Sequence, residues 1–157
     1  MSHHIEHQAR LWAMLCHLAA LIWLPIYLIS AIFFHIAGYI PFINILLPLF
    51  IWKSQKNQYS WVDINGKESL NFQISLTIYV LIYIIIVILL APSCGINFSQ
   101  IPAANSVARW KLNYYLGLVL IPIGVTFLHQ IICCIAAAIQ AYRGKIYRYS
   151  STIRFLQ

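Results

Sequence analysis

The sequence is poor in charge and poorest in acid. Three Asp and Glu stand against ten Lys and Arg in 157 residues, and charged residues make up 8% of the chain. That is about a third of the share in a soluble globular protein. So few charges cannot cover a water-facing surface, which excludes a soluble enzyme or signalling domain. Glu6, Asp63 and Glu68 are the only acids; none falls at mid-membrane, and no nucleophile–base pair accompanies them, so no catalysis and no cofactor are expected. The four cysteines do not form a disulfide framework, because Cys16, Cys133 and Cys134 fall in apolar runs and Cys94 stands alone in a polar loop. Repeats, low-complexity tracts and lipidation motifs are missing. The opening, Met1 to His7, lacks a basic n-region, so the first apolar run is expected to be a retained span and not a cleaved signal peptide.

What the sequence has is apolar length. Residues 11–52, 69–108 and 112–142 contain no Asp, Glu, Lys or Arg. A span takes about 20 apolar residues at roughly 1.5 Å each. The first run is twice too long and breaks at Gly38-Tyr39-Ile40-Pro41. The second turns polar beyond Pro92, and the third is one span. The expectation is an all-α integral membrane protein, one transmembrane domain over 1–157, with four spans at about 11–35, 40–52, 70–91 and 112–142.

Charge orients the spans. Arg10, Lys53, Lys56, Lys67, Arg143, Lys145, Arg148 and Arg154 fall on one side, and Arg109 and Lys111 on the other. The positive-inside rule then puts both termini in the cytoplasm of a multi-pass protein, expected in a bacterial inner membrane. Trp12, Trp52, Trp61, Tyr142 and Tyr147 mark one rim; Tyr39, Trp110, Tyr114 and Tyr115 mark the other. A net charge of +7 over the chain, with eight of the ten basic residues spread over three short cytoplasmic segments, points to anionic lipid headgroups, not nucleic acid.

The segment before the third span is amphipathic and polar. Ser60 to Asp63 resembles a helix start with Ser60 as N-cap. Asn71, Ser75 and Tyr79, four apart, share one face. Polar groups in hydrocarbon need partners, so this face should look into the bundle. It reads first as interhelical glue and second as the cytoplasmic entrance of a conduit. Glu68 needs a partner at depth, and Arg10, Arg143 and Arg148 are the candidates. The tail, 143–157, alternates basic with aromatic or aliphatic residues. It is expected to lie in the headgroup region, with docking of a cytoplasmic partner as the alternative.

His17 and His129 are intramembrane polar residues. Cys16, His17 and Cys133 fall at similar depth, and thiolate with imidazole suits a soft metal. No C-x-x-C or H-x-x-E spacing supports such a site. The plain reading is a buried His bonded to a neighbouring helix, with no metal. Pro25, Pro48 and Pro122 each sit inside a span and are read as kinks that shape packing.

Two blocks carry a resemblance. Gly66-Lys67-Glu68 with Leu70-Asn71-Phe72-Gln73 is the first. Tyr142-Arg143-Gly144, Tyr147-Arg148-Tyr149 and Thr152-Ile153-Arg154-Phe155 form the second. Together they resemble the small bacterial membrane domain to which the magnetosome protein MamF belongs, a family distantly similar to the four-span component of the plastid inner-envelope (Tic) import machinery. Arg10 to Leu18 fits the same pattern, so nearly the whole chain is covered. The pattern has His where this chain has Asn65 and Pro where it has Ser150; without that His, no titrating role carries over to position 65. The resemblance implies a four-helix membrane fold, often self-associating, and no reaction.

The functional expectation is a non-enzymatic integral membrane protein that works by assembling with itself, as a homo-oligomer, or with a membrane-protein partner. The alternative is a conduit subunit with a polar path past Asn71, Gln73 and His129. Gly66, Lys67, Glu68, Asn71, Gln73, Arg143, Arg148 and Arg154 are the candidate residues for either.

Overall fold

Pro25 sets the first break in the chain. It has no N–H to give the Leu21 carbonyl, and its ring crowds that turn. A computed structural model, which describes residues 2–34, 42–94 and 106–157, accordingly divides the first run into α1 (Ser2–Ala19) and α2 (Trp23–Phe34). The two are bent by 46° at the break. Tighter bonds, Leu21 N–H to the Leu18 carbonyl at 2.9 Å and Ile22 N–H to the Ala19 carbonyl at 3.3 Å, carry the backbone through it. Pro25 thus falls in the first turn of α2, where its missing donor costs nothing. The single helix expected over 11–35 is two.

The helix α3 (Ile43–Gln55) has 13 residues with Pro48 inside it, and spans roughly 20 Å. The long α4 (Ser60–Leu90) has 31 residues, about 46 Å at the same rise. The polar segment and the third span are therefore one continuous helix. Ser60 is its first residue and not a cap outside it, since the Tyr59 carbonyl accepts from Val62 N–H at 3.0 Å and Asp63 N–H at 3.3 Å. A 3₁₀ turn covers Pro92–Cys94, and α5 (Ser106–Tyr142) adds 37 residues.

Every described element is helical, and no strand occurs among the described residues. Both α4 and residues 109–142 of α5 are long and apolar enough to cross a membrane, and the bent pair α1–α2 passes the same test together. Among the described residues that gives two span-length segments, or three with the bent pair. The Gly38–Pro41 break, the polar loop over 95–105 and the side chains of His3 and His4 lie outside the described residues.

The chain divides into two compact units, Met1–Ser75 with Gln130–Gln157, and Leu76–His129. In the second, Ala91 and Tyr115 are buried, with Val87, Leu112 and Val119 against them. The Tyr115 hydroxyl donates to the Val87 carbonyl, and the Tyr83 hydroxyl to the Leu118 carbonyl at 2.8 Å.

In the first unit α1 packs on α3. Its buried apolar residues are largely small, among them Ala13, Cys16, Cys134, Ala137, Ala138 and Ala141, and they enclose a polar set of His17, Asn65, Ser69, Asn71, Gln73, Ser75 and Gln130. The turn that closes α5 builds this unit. Gly144 takes φ +75°, Gly144 N–H bonds the Ala141 carbonyl at 3.1 Å, and Lys145 N–H bonds the Gln140 carbonyl at 2.9 Å. This left-handed glycine ending satisfies two orphan carbonyls and returns the tail towards α4.

Candidate functional site

The polar interior of the first unit starts at His17, which is fully buried. Its Nε2 lies 3.4 Å from Asn65 Oδ1, and the Asn65 amide nitrogen is spent on the Trp61 carbonyl at 3.0 Å. Asn65 therefore presents an acceptor, His17 donates from Nε2, and its Nδ1 accepts from the Tyr149 hydroxyl at 2.9 Å; this tautomer is assigned from the network. Tyr149 belongs to the tail yet is 5% exposed. Its ring stacks on Phe72, centroids 4.0 Å apart and 10° from parallel, with Tyr147 edge-on at 5.0 Å. Burial pushes the Tyr149 phenol well above its ordinary value, and the neighbouring Cys134 adds to the shift, so the group stays a neutral donor.

A second knot joins α3, α4 and α5. Gln73 Oε1 accepts from Gln130 Nε2 at 2.7 Å and from Asn44 Nδ2 at 3.3 Å. Gln73 Nε2 donates to Cys134 Sγ at 3.3 Å. Ser69 donates to the Cys16 carbonyl at 3.0 Å, tying α4 to α1.

A third set holds the tail. Asn71 Nδ2 donates to the Leu156 carbonyl at 2.9 Å, while its Oδ1 accepts from Phe155 N–H at 3.1 Å and Leu156 N–H at 2.9 Å. Ser75 Oγ accepts from Ile153 N–H at 2.9 Å and donates to the Asn71 carbonyl at 2.7 Å. Residues 153–156 lie along α4 as a strap read through its backbone. The polar face at Asn71 and Ser75 is partnered as a buried face must be, by the tail rather than by another helix.

The Gly66-Lys67-Glu68 block works at the α3–α4 contact. A Cβ at Gly66 would come within 2.4 Å of Trp52 Cδ1, so glycine lets the indole lie on the helix backbone. Trp52 Nε1 then donates to Asp63 Oδ1 at 2.9 Å, and Lys67 Nζ pairs with Asp63 Oδ2 at 2.8 Å. Lys56 sits 4.3 Å from the centroid of the same indole. Glu68 is half-buried, and among the described residues it makes no ion pair within 4.0 Å. None of its expected partners reaches it: Arg10 lies beside Gly144 and faces Glu6 at 4.0 Å, and Arg143 and Arg148 are exposed. Arg154 is exposed as well, and His129 is exposed on α5 in the second unit. Among the described residues no group of three or more His, Cys, Asp or Glu is placed to hold a metal. Cys133 Sγ instead accepts from the Tyr147 hydroxyl at 3.9 Å.

The structure adds Ser69 and Gln130 to the residues singled out from sequence, and gives specific partners to Trp52, Asn65 and Tyr149, which the sequence marks only as a rim aromatic, a departure from the family pattern and part of the second block. Gln130 carries a legible signal, an amide deep inside an apolar run, whereas Asn113 and Gln140 stand near its ends. Tyr149 stands in the second block, but its burial is not legible, because the tail's alternation of basic and aromatic residues looks the same at every ring.

The profile of the magnetosome magnetite crystal formation protein family matches residues 28–156. The chain belongs to this family. The match runs from α2 through the tail, so it takes in the Gly66 block, the Asn71–Ser75 contact and the tail strap together. It leaves out the whole of α1, including His17, and the start of α2. No curated protein and no solved structure matches the chain. Membership in this family, with helices long and apolar enough to cross a bilayer, makes the chain an all-helical membrane protein.

Proposed function

We propose that the chain is a non-enzymatic, four-span protein that acts by assembling in the membrane with copies of itself or with a membrane-protein partner. Both termini face the cytoplasm of a bacterial inner membrane. One observation carries the reading. Gly117 and Gly124, seven residues apart on one face of α5, have nothing within 4 Å of where a Cβ would stand. Bare helix backbone of this kind lets a second helix approach closely, which is how membrane helices associate when lipid removes the hydrophobic drive. Family membership agrees with it.

Applied to this chain, the family's description points to a membrane component of a magnetite-forming compartment. The residues suit the membrane part of that role. Three acids in 157 residues, one of them held by Lys67 and Trp52, supply no carboxylate surface for an iron oxide.

The conduit alternative has less behind it. Asn71 is occupied by tail backbone, Gln73 by three neighbours, and His129 is exposed in the second unit.

The test is the native mass of the chain and of the Gly117→Leu, Gly124→Leu double variant after mild-detergent extraction. The proposal expects an oligomer that the double variant dissociates. An oligomer untouched by both leucines would remove α5 as its interface.

A further inference from the structure

We infer that the first unit carries a binding site for the phosphate of an anionic phospholipid headgroup, with Arg10 as its principal ligand. An open cavity of about 180 Å³ is lined by Glu6, Ala9, Arg10, Trp61 and Gly144, room for about six waters. The guanidinium sits where a side chain at position 144 would go: a Cβ on Gly144 would lie 3.3 Å from Arg10 Cζ and Nε. That glycine is required by its positive φ, so the turn ending α5 also makes the seat for Arg10.

The cavity lies at the edge of the apolar segments. Arg10 immediately precedes the charge-free run 11–52, and Gly144 follows the run 112–142 by two residues. Lipid phosphates sit at that level, and indoles such as Trp61 prefer it.

Charge favours an anion. Arg143 and Lys145, the neighbours of Gly144, are exposed, and among the described residues neither makes an ion pair within 4.0 Å. Two groups oppose an anion, and both are weak. Glu6 stands 4.0 Å from the guanidinium with its side chain 66% exposed, too far for a good hydrogen bond and free to swing away. The carboxyl end of α5 repels anions in principle. Here, however, the Gln140 and Ala141 carbonyls are taken by the turn, and the Ala141 carbonyl also accepts from Trp61 Nε1 at 3.3 Å. A phosphate diester at hydrogen-bond distance can accept two N–H groups of the guanidinium at once, which the solvated Glu6 carboxylate, at 4.0 Å, does not.

Native mass spectrometry of the full chain in mixed phosphatidylglycerol and phosphatidylcholine nanodiscs tests the site. Phosphatidylglycerol should be retained selectively. Arg10→Gln should lower its retention about fivefold, Arg10→Lys should keep part of it, and Glu6→Gln should raise it about twofold by removing the competing carboxylate. Glu6 is exposed, so its substitution leaves the fold intact and keeps the test alive if Arg10→Gln misfolds. Inorganic phosphate at millimolar concentration should not displace the lipid. Equal retention of both lipids, no gain in Glu6→Gln, or displacement by free phosphate would each overturn the assignment.

Discussion

Glycine at 66 and 144 is chosen for what lies beside the backbone. Gly66 admits the Trp52 indole, and that close contact is what lets Trp52 reach Asp63. Gly66→Ala should push the ring off, break the bond to Asp63 and cost about 1–3 kcal/mol, the usual penalty of overpacking. A lower unfolding temperature with a red-shifted tryptophan emission would report it. Tyr149 is the other decisive residue. Tyr149→Phe keeps the stack on Phe72 but leaves buried His17 Nδ1 without its donor, at a cost of about 1–3 kcal/mol. Its titration has a sign. A phenol whose folded pKa is raised stabilises fully below its unfolded pKa of about 10, and that contribution is lost as pH climbs from there towards the folded value. Protection of the tail against protease should therefore fall above about pH 10 in the native chain. In Tyr149→Phe that alkaline step should vanish, and its persistence would assign the step to another group.

Among the elements, the tail has the most to tell. It is irregular, yet its backbone is fixed by two side chains of α4, Asn71 and Ser75. Asn71→Leu removes the bonds to residues 155 and 156 together, so trypsin cleavage after exposed Arg154 should quicken several-fold while detergent extraction stays the same. Unchanged cleavage would mean the strap is held elsewhere. This element also marks how far the sequence could be read. The long uncharged runs made α4 and α5 legible, because bilayer thickness imposes length and apolarity on any span. The face at Asn71 and Ser75 was legible as a face needing partners. Its partner was not, since a segment of alternating basic and aromatic residues suits a headgroup layer as well as a helix groove, and it is the turn at Gly144 that brings the tail back to α4. The bend near residue 20 was half legible: Pro25 announced a disturbance, but not that the helix would end there. The pairing of Lys67 with Asp63, at i,i+4 spacing, was within reach of pattern rules.

At the scale of the whole molecule, the apolar later half of α4 and the middle of α5 present large side chains outward: Ile85, Leu89, Leu120, Ile121 and Val125 are all more than half exposed. Four spans with cytoplasmic ends predict that a cysteine at position 38, or native Cys94, labels from outside with a membrane-impermeant maleimide in a background otherwise free of cysteine. Labelling only after permeabilisation would reverse the orientation. Assembly is the central claim, and native mass after mild-detergent extraction tests it most directly. The account predicts a stable complex above the 18.1 kDa of one chain, reduced to the monomer by Gly117→Leu with Gly124→Leu. A native chain that runs as a bare monomer, with no protein partner co-purifying, would contradict it.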